Sequence, residues 1–122
     1  MPSFTRFYMR SNCPISRTLD LLGDKWTLLI IRDLMIIGKK QYGEFLTSPE
    51  KISTNILAER LKRLEVAGII EKRVYQNNPP RYEYLLSPKG NDLRPLIREI
   101  SKWGLENLEG TEIPSFLTRN TD

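Results

Sequence analysis

The 122-residue sequence predicts a mainly α-helical domain carrying one small β-hairpin. Three observations lead there. Apolar residues recur at helical spacing through most of residues 12–108. Residues 69–86 break that period, with two runs rich in β-branched and aromatic residues around a polar, proline-containing turn. Ser and Asp caps, Pro at helix starts and Gly at helix ends fall at the matching places. Residues 1–11 read as an N-terminal arm, 12–108 as one domain and 109–122 as a C-terminal tail, in which Ile113, Phe116 and Leu117 are apolar enough to dock.

The elements follow in order. Asn12 or Ser11 caps a first helix with Pro14 in its opening turn. Ile15, Leu19 and Leu22 give it an apolar stripe, and Gly23 stops it. Asp24 caps a second helix that carries Trp26, Leu29, Ile30, Leu34 and Ile37 on a broad apolar face and closes at Gly38. A short third helix covers residues 42–47, with Phe45 and Leu46 turned to the core, and Pro49 prevents its continuation. Ser53 is the N-cap of a fourth helix. Its Leu57, Leu61 and Leu64 face inward, while Asn55, Glu59, Lys62, Arg63 and Val66 face outward and Ile56 and Arg60 lie on the flank. Gly68 supplies a left-handed cap. Residues 69–75 and 82–86 are strands, and 76–81 form the turn between them. Ser87 caps the last helix, with Pro88 at its first position; Leu93, Leu96, Ile97, Ile100, Trp103 and Leu108 form its stripe, and Pro95 kinks it.

Composition narrows the function. The chain has no histidine and a single cysteine, Cys13. The commonest general base is therefore missing, a thiolate zinc site is impossible and no internal disulfide forms. No Gly-rich phosphate loop occurs. The expectation is a non-enzymatic, cytoplasmic protein without metal or cofactor, and no apolar run is long enough for a membrane span. The net charge is +4, and residues 39–81 hold nine Lys/Arg against five Glu. The whole excess thus lies on one segment, as a nucleic-acid reader requires.

The third and fourth helices, joined through residues 48–52 and followed by the hairpin, have the layout of a winged helix-turn-helix. In that layout the second helix enters the major groove of double-stranded DNA. Here it offers Ser53, Thr54, Asn55, Ile56 and Glu59 to base edges and phosphates, and Arg60, Lys62 and Arg63 to phosphates or guanine. The hairpin offers Arg73, Gln76, Asn77, Asn78 and Arg81 to a minor groove or its backbone. Lys39, Lys40 and Gln41 are placed to clamp the backbone. The competing reading is a winged-helix protein-interaction module without operator specificity.

Several stretches also carry a family resemblance: Cys13-Pro14, GDKW at 23–26, LAERLKRLE at 57–65 and PPRYEYLLSPKG at 79–90. Together they resemble the HxlR-type transcriptional regulators, relatives of the multiple-antibiotic-resistance regulators, across residues 12–104. The resemblance implies a bacterial or archaeal homodimer built through the first and last helices, acting on a near-palindromic operator. Ile15, Leu19, Leu22, Ile97, Ile100 and Trp103 would form the dimer interface. It further implies an effector, either a small molecule or an oxidant. Some members sense oxidants with a cysteine at the position of Cys13, whose cationic neighbours are Arg10 and Arg17; the alternative is a plain helix-start residue. Asn55 stands where the family usually has a basic residue, and Ala58 where it has a hydroxyl. Residues 48–52 are less glycine-like than the usual turn.

Overall fold

The computed structural model describes residues 10–113. The expected docking of Phe116 and Leu117, and most of the N-terminal arm, lie outside the described residues. The element order is α1 (Pro14–Leu22), α2 (Thr27–Arg32) running into a π-helical segment (Asp33–Ile37), α3 (Tyr42–Phe45), α4 (Thr54–Val66), β1 (Ile70–Asn77), β2 (Pro80–Leu86), α5 (Pro88–Asn91) and α6 (Arg94–Asn107). The fold is mainly helical with a two-stranded antiparallel hairpin.

Several boundaries differ from the sequence reading, each for a physical reason. The N-cap of α1 is Cys13, not Asn12 or Ser11; the Ser11 hydroxyl instead accepts from the Cys13 amide. Gly23 ends α1 in right-handed backbone, and glycine is needed there because a Cβ would collide with the Leu19 carbonyl. The N-cap position of α2 is Trp26, not the expected Asp24, but the Asp24 carboxylate stands just ahead of the helix and accepts from the amides of Trp26 and Thr27 and from the Thr27 hydroxyl. That helix does not stay α-helical to its end. The Asp33 carbonyl accepts from Gly38 and Lys39, the wider i→i+5 turn of a π-helix. Of the expected apolar face, Ile30 is in the core and Trp26 and Leu34 pack against it, whereas Leu29 and Ile37 do not, and Thr27, Ile31 and Met35 are buried in addition.

The last helix is broken rather than kinked. Asp92 and Leu93 separate α5 from α6, and Pro95 falls in the first turn of α6, where its missing N–H costs nothing. The hairpin turn is also shorter than expected. Asn77 pairs with Pro80, leaving Asn78 and Pro79 as the turn, with a cis peptide between them. Pro80 is tolerated because both strands of this sheet are edges.

The core joins α1, α2, α3, α4 and the base of the hairpin through Leu22, Ile30, Ile31, Phe45, Leu57, Leu61, Leu64, Ile69 and Ile70. The three α4 leucines are the inward stripe that the spacing predicted, and each stabilises the fold by roughly 1.5–3 kcal/mol. Beyond Ile70 the whole of β1 is exposed, so the hairpin projects from the body. Gly68, at φ +78°, makes the left-handed turn that sends the chain from α4 into β1.

Candidate nucleic-acid interface

The turn between α3 and α4 is anchored by a buried polar cluster behind it. Asp33 is buried in the π-helical segment and accepts from the Arg32 guanidinium at 2.8 and 3.0 Å and from the Ser48 hydroxyl at 2.5 Å. Arg32 spans to Glu50 at 2.9 and 3.0 Å. Burial alone would lower the Arg32 guanidinium, but its bonds to Glu50 and Asp33 prevail and raise it. The same bond from Arg32 holds Glu50 below the ordinary carboxylate range. Lys39 closes the cluster, donating to Ser48 at 2.7 Å with its ammonium 3.6 Å from Asp33. Lys39 is thus directed inward, away from the backbone-clamp role that the sequence suggested.

Local bonds then set α3 against α4. The Glu44 carboxylate accepts from the amides of Gln41 and Lys40 at 2.7 and 3.0 Å, and these backbone bonds lower its pKa. The Tyr42 hydroxyl donates to the Thr54 carbonyl at 2.8 Å, tying α3 to the first turn of α4. Lys51 stands in left-handed backbone at φ 59° just before the Ser53 cap, where the sequence had only suggested an unusual turn. Ser53 caps α4 as expected, accepting from the Ile56 amide.

The outward face of α4 presents Thr54, Asn55, Ala58, Glu59 and Lys62, all exposed. Ile56 leans on the core. Arg60 does not join that face. Its guanidinium reaches back 2.9 Å to Asp24 in the loop before α2 and also contacts Glu59. Burial would raise the Asp24 carboxyl, but its bonds from Arg60, Thr27 and the Trp26 amide outweigh burial and lower it to about 2. Arg63 is half-buried and 3.6 Å from Glu59. Lys62 is therefore the cation of α4 with no ion pair among the described residues. At the far end the Lys89 ammonium donates to the Ala67 carbonyl, a C-terminal cap that the sequence reading missed.

On the hairpin, Arg73 is opposite Glu83 and bonds it at 2.9 Å. Gln76, Asn77, Asn78 and Arg81 are exposed around the tip, and their side chains form no hydrogen bond or ion pair among the described residues. Lys72 lies 4.4 Å over the Tyr82 ring. The Tyr84 amide donates 2.8 Å to the Lys40 carbonyl, so the hairpin base is fastened to the start of α3. Lys40 and Gln41 are exposed beside it. Exposed basic and amide side chains are thus found on α4 at Asn55 and Lys62, around the hairpin tip, and at Lys40 and Gln41.

Of the six residues expected at a dimer interface, Leu22 belongs to the monomer core at 4% exposure, and Ile97 packs against that core. Ile15, Leu19, Ile100 and Trp103 remain 71, 56, 48 and 60% exposed. Cys13 is exposed at the start of α1. Arg10, expected beside it, pairs instead with Asp20 at 2.6 Å.

A helix-turn-helix with an attached wing defines the class of DNA-binding transcriptional regulators. Residues 21–112 match the HxlR-like helix-turn-helix family, and the chain belongs to that family. It is 39% identical over 97 residues to the HTH-type transcriptional regulator sll1512 of Synechocystis sp., covering 80% of this chain and 71% of the relative. Among solved structures it is similar to the redox regulator HypR in its reduced form, with 35% identity, a TM-score of 0.72 and coverage of 80% of this chain and 95% of that one. The reduced form of the transcriptional regulator YodB from B. subtilis gives 33% identity, a TM-score of 0.66 and coverage of 84% and 100%.

Proposed function

We propose that the protein acts as a cytoplasmic, non-enzymatic homodimer on a near-palindromic operator. Two copies of α4 lie in successive major grooves about 34–36 Å apart on one side of the duplex. Asn55, Thr54 and Glu59 read bases; Lys62, Lys40, Gln41 and Arg81 meet phosphates. Gln76, Asn77 and Asn78 follow the flanking groove. The observation that carries this reading is the apolar face left open on α1 and α6 by Ile15, Leu19, Ile100 and Trp103, which a second copy would cover.

Sedimentation of the wild type at micromolar concentration is expected to show a dimer, and mobility shifts are expected to show salt-dependent, sequence-selective binding. A monomeric wild type overturns the dimer. Binding without sequence selectivity overturns the operator. A second reading concerns Cys13, exposed on the helix that also carries Ile15 and Leu19. HypR is described as a redox regulator. Cys13→Ser should retain operator binding and lose any response to diamide; an equal response in wild type and variant removes Cys13 as a sensor.

A further inference from the structure

A cavity of about 370 Å³ lies between α2, with its π-helical continuation, and α6. Its walls are aliphatic, chiefly Leu28, Leu29, Met35, Ile97 and Leu105. The helix-turn-helix and the hairpin do not use it, and its volume suits a small organic molecule.

The rim is charged with one sign only. Arg94, Arg98 and Lys102 succeed one another at intervals of four along α6 and so share a face, and no Asp or Glu lines the cavity. Arg32, the remaining cation of the lining, is already matched by Asp33 and Glu50. The other three are not matched. Arg94 meets only the neutral amide oxygen of Asn91, at 3.4 Å, and Arg98 and Lys102 form no ion pair among the described residues. Glu99 and Glu106 stand three and four residues from Lys102 on the same helix, but neither lines the cavity, so the edge that faces it is cationic. An apolar cavity with an uncompensated cationic edge is complementary to an apolar body bearing a negative head.

We propose that this cavity binds a small amphipathic carboxylate, its hydrocarbon between α2 and α6 and its head at Arg98 and Lys102. The inference goes beyond the operator reading, and its test needs no DNA. Calorimetry on the full chain would compare decanoate with decanol. Decanoate should bind once per chain and at least about tenfold more tightly than decanol, the scale of a charged hydrogen bond. Arg98→Glu combined with Lys102→Glu should weaken decanoate by about tenfold or more while decanol is unchanged. Should the reversed pair fail to fold, Arg98→Gln with Lys102→Gln should shift affinity in the same direction. Ser101→Trp, which fills the cavity, should abolish binding of both probes. Equal affinity for the two probes, or indifference to the charge changes, overturns the proposal. So does an absence of binding.

Discussion

At the scale of single residues, Asp24 shows how one side chain serves two elements. It accepts from the amides at the start of α2 and holds Arg60 of α4, and its carboxyl is lowered from 3.8 to about 2. A carboxyl depressed on folding stabilises the native state above its ordinary value and loses that contribution as pH falls through the folded value. Solvent screening of this partly exposed carboxyl limits its contribution to roughly 1–2 kcal/mol. Asp24→Asn should therefore lower the urea-unfolding free energy by roughly 1–2 kcal/mol at pH 7, with the gap to wild type closing between about pH 4 and pH 2. A gap that stays constant over that range would show that charge plays no part. Lys51 supplies a second test. Its left-handed backbone carries a steric cost that glycine lacks, offset partly by the greater freedom of glycine in the unfolded chain. Lys51→Gly should be neutral or stabilising by up to about 1 kcal/mol, and a loss of more than that in unfolding free energy would refute it. The Ser53 cap and the leucines of α4 were legible in the sequence because a cap and a helical period are local. The inward turns of Arg60 and Lys39 were not, since their partners are 36 and 9 residues away and only the folded chain brings them together.

At the scale of elements, the hairpin separates structural cations from free ones. Arg73 is bound to Glu83 across the strands, and Arg81 is exposed near the tip. If Arg81 meets phosphates, Arg81→Ala should weaken binding to all sequences alike and make the salt slope shallower by about one unit for each phosphate no longer neutralised. Arg73→Ala should mainly alter hairpin stability, by up to about 1 kcal/mol, as expected for an exposed pair. Salt titrations and thermal melts of both variants distinguish the two roles; equal slopes for Arg81→Ala and wild type would take Arg81 off the interface. The hairpin itself was legible from its β-branched and aromatic residues. Its length was not, because Gln, Asn and Pro read as turn formers and yet here continue both strands up to Asn78 and Pro79. The π-helical end of α2 was hidden as well, because the apolar spacing of residues 33–37 does not distinguish an i→i+5 turn from an i→i+4 turn.

At the scale of the whole molecule, residues of one apolar stripe divide between two environments. Leu19 and Leu22 share α1, but Leu22 is in the core and Leu19 is exposed. Leu22→Ala should cost about 2–5 kcal/mol in monomer stability. Leu19→Asp should leave the fold intact and yield monomers in sedimentation, with operator affinity falling alongside. Folded dimers of Leu19→Asp would place the partner elsewhere. The stripe was legible in the sequence; its division was not, since helical spacing identifies an apolar face without saying which part a partner takes.

The bond from the Tyr84 amide to the Lys40 carbonyl makes the wing and the start of α3 a single mechanical unit. The tip of the hairpin is surrounded by solvent, and its amides should exchange with deuterium through small local openings. The Tyr84 amide faces away from the hairpin and can exchange only when the wing detaches from α3. Its exchange rate is therefore a direct clock for that detachment. If operator binding slows Tyr84 as strongly as the amides of α4, DNA grips both reading elements together; if Tyr84 is unaffected while α4 is protected, the wing rides free of the bound helix.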